Sequence, residues 1–96
     1  IFNDKEWIKF NNSKFKYAEC STCTKKIELE KYFKTEGFFT EYSKSTVAED
    51  MAEVYSHMIY LKKDEINQIR KSDSILNNKI LYIESKIKQI DNSFTF

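Results

Sequence analysis

The sequence predicts a mainly α fold that ends in an antiparallel helix pair. Three observations carry this. Proline is absent and glycine occurs once, whereas tight sheets need turn residues between their strands. Val47, Met51, Val54, Met58 and Leu61 recur at alternating steps of four and three, the spacing of one buried helix face. Leu76, Ile80, Ile83, Ile87 and Ile90 repeat that spacing. A chain of 96 residues suits one small domain or a piece of a larger one.

Taken in order, Asp4 to Phe10 reads as a short helix with Asp4 as its cap, interrupted by Asn11, Asn12 and Ser13. The stretch KFKYAECSTCTKK, Lys14 to Lys26, is polar and loop-like. Ile27 to Phe33 fits a short helix through Leu29, Tyr32 and Phe33, which Gly37 ends by adopting a left-handed conformation. The next helix starts near Thr46 and extends to about Arg70 through Ile66 and Ile69. The capping residues of KSDS, Lys71 to Ser74, join it to the last helix.

The net charge of +1 gives no field for nucleic acid or an acidic membrane. Arg70 is the only arginine, which argues against phosphate recognition. No apolar run is long enough to span a bilayer. The chain begins at Ile1 without an initiator Met or a signal-like apolar segment. It is therefore expected to be a processed product or a fragment, with any targeting segment lost upstream.

The candidate chemistry centres on Glu49. Thr46 and Glu49 form T-x-x-E, a capping box in which each side chain bonds the other residue's backbone N–H. The same geometry allows a functional reading. Glu49, Glu53, Ser56 and Tyr60 share a face opposite the apolar stripe, and a carboxylate at a helix start can complete a zinc site. Both readings stand on spacing alone. His57, four residues after Glu53, suggests a surface ion pair rather than a ligand. Cys20 and Cys23 form C-x-x-C without a second pair for structural zinc, and without the strand-then-helix setting of a redox site. They are either two unpaired loop cysteines or a small disulfide loop. Phe38 and Phe39 would either line a substrate cleft or pack beneath the loop. The Leu76 to Ile90 stripe fits packing on its own domain better than a coiled coil.

One segment carries a resemblance. YSKSTVAEDMAE, with Tyr42, Glu49 seven residues on, then Ala52 and Glu53, resembles the segment that follows the H-E-x-x-H helix in zincin metallopeptidases, the group of the anthrax lethal factor catalytic domain. It is more similar still to a bacterial family of zinc-binding metallopeptidases, many of them lipoproteins, in which the pattern runs from a Phe through the Tyr to E-D-[FW]-A-E. Phe38, Tyr42, Glu49, Asp50, Met51, Ala52 and Glu53 stand at those positions. Trp7, Phe10, Asn11, Phe15 and Tyr17 match the family's upstream W-x-x-[apolar]-N-x-x-x-F-x-Y stretch. Met51 stands where an aromatic is usual, and Thr46 where Asn is usual.

The resemblance implies that Glu49 is the third zinc ligand. It implies that Tyr42 stabilises the oxyanion or protonates the leaving group, and that Glu53 orients a ligating histidine. It also implies an exported location, either periplasmic, at the cell surface or secreted. His57 is the sole histidine, so the chain holds no H-E-x-x-H and cannot supply two ligands one turn apart with a glutamate base between them. The expectation is a single partial domain over residues 1–96, the C-terminal helical part of a zincin-like peptidase. Its zinc would depend on histidines from a missing N-terminal segment, its substrate would be a peptide or protein, and alone it would be inactive. The alternative from another class is a helical interaction or structural module with no metal.

Overall fold

A computed structural model describes residues 2–18, 36–40 and 42–91. Among them the regular elements are helices. Helix α1 spans Asp4–Ile8, a single 3-10 turn spans Tyr42–Lys44, α2 spans Val47–Tyr60, α3 spans Lys63–Ser72 and α4 spans Ser74–Ile90. The expected helix over Ile27 to Phe33, and the pair Cys20 and Cys23, lie outside the described residues.

Helix α1 exists to bury Trp7. Its cap is Asn3 rather than Asp4: the Asn3 side chain accepts the backbone N–H groups of Lys5 and Glu6, which makes Asp4 the first helical residue. Both are capping residue types, and the one that reaches the free N–H groups holds the position. Trp7 packs edge-on against Phe10 and Tyr82, so a helix of little more than one turn is seated on α4.

Helix α2 begins where the spacing places it, with the Thr46 hydroxyl accepting the Glu49 N–H at 3.0 Å. It does not continue to Arg70. Leu61 and Lys62 are both extended, and α3 starts afresh at Lys63. The step from Leu61 to Ile66 is five residues, so in a straight helix Ile66 would stand well off the stripe, while Ile69, eleven residues after Met58, would return to it. At the break the Glu65 carboxylate accepts the Lys62 N–H at 3.0 Å. Asp73 alone separates α3 from α4. Its N–H closes the end of α3 on the Ile69 carbonyl, and its carboxylate accepts the Leu76 N–H at the start of α4. The two helices form the expected hairpin, tied across by Arg70, which donates to Asn77 at 2.7 Å and faces Glu84 at 3.9 Å.

Trp7, Phe39, Val54, Ile69, Leu76, Ile80 and Ile83 form the core. Burying each aliphatic side chain contributes roughly 1.5–3 kcal/mol, against about 1 kcal/mol for a helix cap, so packing on α2 and α3 rather than capping decides α4. The stripe of α4 thus packs on its own domain. It fades outward, with Ile87 half-buried and Ile90 exposed. Phe38 and Phe39 are both buried and pack beneath the loop rather than line a cleft. No helix among the described residues is long and apolar enough to cross a membrane.

Candidate functional site

Glu49 sits in the first turn of α2, half-buried. Its backbone N–H is capped by Thr46. Among the described residues its carboxylate accepts no hydrogen bond and forms no ion pair. Only one half of the capping box is therefore made, and the cap explains Thr46 without using the Glu49 side chain.

Tyr42 opens the 3-10 turn that packs against α2. Its carbonyl is held twice, by the Ser45 N–H at 3.1 Å and the Ser45 hydroxyl at 2.7 Å. Glu53, one turn after Glu49, meets the same loop: its Oε1 accepts the Thr40 hydroxyl at 2.9 Å. Thr40 is buried and also contacts the Ser43 hydroxyl at 3.0 Å. A hydroxyl has one proton, and Thr40 spends it on Glu53, so Ser43 is the donor in that second contact. The loop carrying Tyr42 and the helix carrying Glu49 and Glu53 are thereby one hydrogen-bonded unit.

His57 departs from its expected ion pair. Its Nδ1 lies 2.7 Å from the backbone carbonyl of Glu53, not from the carboxylate, and its ring stacks on Phe39 at 4.3 Å and 11°. No group of three His, Cys, Asp or Glu side chains suited to a metal ion occurs among the described residues. Glu49 fits the role of one carboxylate ligand. These residues by themselves do not make a zinc site, which needs at least three protein donors.

Beneath this unit lies a polar centre that spacing did not reveal. Asp50 is fully buried, and three donors converge on its Oδ2: the Trp7 indole N–H at 2.9 Å, the Tyr17 hydroxyl at 2.6 Å and the Lys79 ammonium at 2.7 Å. Lys79 is fully buried as well, and also donates to the Gly37 carbonyl at 2.7 Å. Burial pushes the Asp50 carboxyl up and the Lys79 ammonium down from their ordinary values, each opposed by the attraction of the other. The Gly37 N–H donates to Asp73 Oδ2 at 2.8 Å. The family-pattern residues Trp7, Asn11 and Tyr17 meet here, since Asn11 donates to the Tyr17 oxygen at 2.8 Å. A signal for the pair was available: Asp50 lies three residues after Val47 and four before Val54, and Lys79 three after Leu76 and four before Ile83. Both charges therefore stand within buried stripes.

No curated protein and no solved structure matches the chain. A family model does, over residues 1–93, and its description is "putative zinc-binding metallo-peptidase". That span covers nearly the whole chain, including the Trp7 and Tyr17 segment, the Tyr42 loop and the first turn of α2, and the chain belongs to this metallopeptidase family.

Proposed function

We propose that this chain is the part of a zinc-dependent metallopeptidase that contributes the third zinc ligand and an oxyanion-stabilising phenol to peptide-bond hydrolysis. The observation that carries the reading is the half-buried Glu49 carboxylate, without a partner among the described residues, in a chain whose family is described as zinc-binding. His57 is the only histidine, so the H-E-x-x-H ligands and general base come, in this reading, from polypeptide outside these 96 residues.

Bound zinc supplies a Lewis acid and a water acidic enough to attack at neutral pH. Glu49 offers it one carboxylate oxygen from a helix start, where the free N–H groups favour an anion. Tyr42, on the adjoining turn, donates its phenol proton in a hydrogen bond to the scissile carbonyl oxygen as negative charge develops there. Glu53 has Oε1 held by Thr40, which leaves Oε2 to accept the ring N–H of a ligating histidine and fix its orientation.

The test uses the complete protein with its H-E-x-x-H motif, with zinc content and peptidase rate measured together. Glu49→Ala should lose both. Tyr42→Phe should keep zinc while kcat falls on the order of 10²–10³-fold, the usual loss for one oxyanion donor. Full zinc and full activity in Glu49→Ala would overturn the assignment. A second reading, a helical interaction module with no metal, is motivated by the single histidine and by the apolar stripes of α2 and α4. It predicts no stoichiometric zinc in the complete protein, so the same measurement decides between them.

A further inference from the structure

Lys79 grips two segments at once. Its ammonium donates to Asp50, the neighbour of Glu49 in the first turn of α2, and to the carbonyl of Gly37, which opens the loop leading to Tyr42. The ammonium also lies 3.9 Å from the centre of the Phe38 ring, so its three protons have two oxygen acceptors and an aromatic face. The Gly37 N–H is tied to Asp73 at the cap of α4. Both backbone polar groups of Gly37 are thus fixed to α4 and its cap, and moving either one strands a buried polar group.

Stability alone does not account for this arrangement. A buried ion pair is often no better for stability than apolar residues of the same volume. It differs from them in direction: a 2.7 Å hydrogen bond sets a position, while an apolar contact can slide. We propose that Lys79 is a positioning residue for the peptidase site, fixing the Glu49 turn of α2 against the Tyr42 loop by holding Asp50 and the Gly37 carbonyl together. This rests on the roles proposed above for Glu49 and Tyr42.

The experiment again uses the complete protein with its H-E-x-x-H motif. The informative variant is the double substitution Asp50→Asn with Lys79→Met, which removes both buried charges together. It should fold, melting below the wild type because the Gly37 carbonyl loses its donor, retain zinc and keep KM within about twofold. Its kcat should fall on the order of 10²-fold, the loss expected when a reacting group shifts by about 1 Å. A double variant that folds and turns over at the wild-type kcat overturns the proposal, since the pair would then be a fold brace only. If the double variant does not fold, the isosteric Asp50→Asn decides, assayed well below its own melting temperature, which the unpaired buried Lys79 lowers. It leaves Lys79 on Gly37 and should lower kcat by about tenfold while KM stays level, and an unchanged kcat overturns the proposal. Glu49→Ala in the same series separates the two levels. Loss of zinc there with normal kcat in the pair variants sinks the positioning role alone, whereas full zinc and kcat in Glu49→Ala sink the underlying reading.

Discussion

The Tyr17 hydroxyl donates to Asp50 at 2.6 Å and accepts from Asn11 at 2.8 Å. Burial, and then the negative charge of Asp50, push its pKa well above the usual value of about 10. The sign of the consequence follows from proton counting. Above about pH 10 the unfolded chain releases this proton while the folded chain holds it, so the folded state binds more protons and stability falls as pH rises. Alkaline denaturation should therefore be shallower in Tyr17→Phe than in the wild type, in urea melts taken at pH values from about 8 to 11. In the wild type, one tyrosine should ionise only as the protein unfolds, read by phenolate absorbance. An identical alkaline slope in the two proteins would remove Tyr17 from the account. Single residues were legible in uneven ways. Thr46 announced itself as a cap by spacing, and Tyr17 stood out only through the family pattern. Asp50 and Lys79 were hidden because the stripes were read through apolar residues, while the same period placed both charges on buried faces.

At the scale of elements, the helices followed from their periodicity, and the differences trace to particular steps. The five-residue step from Leu61 to Ile66 is where α2 stops, and the spacing masked it because Ile69, eleven residues after Met58, falls back in phase. Gly37 was legible as a left-handed residue, with φ +93°. Its second constraint was not, because it comes from the far end of the chain: a Cβ there would meet Ile75 Cγ2 at 2.6 Å. Gly37→Ala should therefore destabilise the protein by more than the roughly 1 kcal/mol that an ordinary backbone penalty costs. Pairing it with Ile75→Ala removes the Cγ2 clash and leaves the φ penalty and a 3.2 Å approach to the Cβ at position 75, so the second substitution should add less than its own cost in the wild-type background. Strict additivity in urea unfolding of the four proteins would mean that the Ile75 contact carries no weight.

The whole molecule is held together across distances that no helical period reports. Asp50 and Lys79 are 29 residues apart, and Trp7 and Asp50 are 43 apart, whereas periodicity speaks only of neighbours within one helix. That is why the mainly α fold could be read from two stripes, whereas roles for Glu49, Glu53 and Tyr42 were expected only through the family resemblance, without the centre beneath them. The same long-range joins determine how the molecule should come apart. Helix α1 has five residues, far below the length at which a helix is stable in water, so it persists only while Trp7 is buried against α4 and bonded to Asp50. Trp7 is the sole tryptophan, and its fluorescence reports that contact alone. In urea, tryptophan emission and the far-ultraviolet helix signal should pass through one midpoint with one slope, as a two-state transition requires. Asp50→Asn should lower both midpoints together. An emission change at clearly lower urea than the loss of helix would show that α1 detaches from a helical core that survives without it, and the Asp50 centre would then join α2, α4 and the Gly37 loop without governing the N-terminal segment.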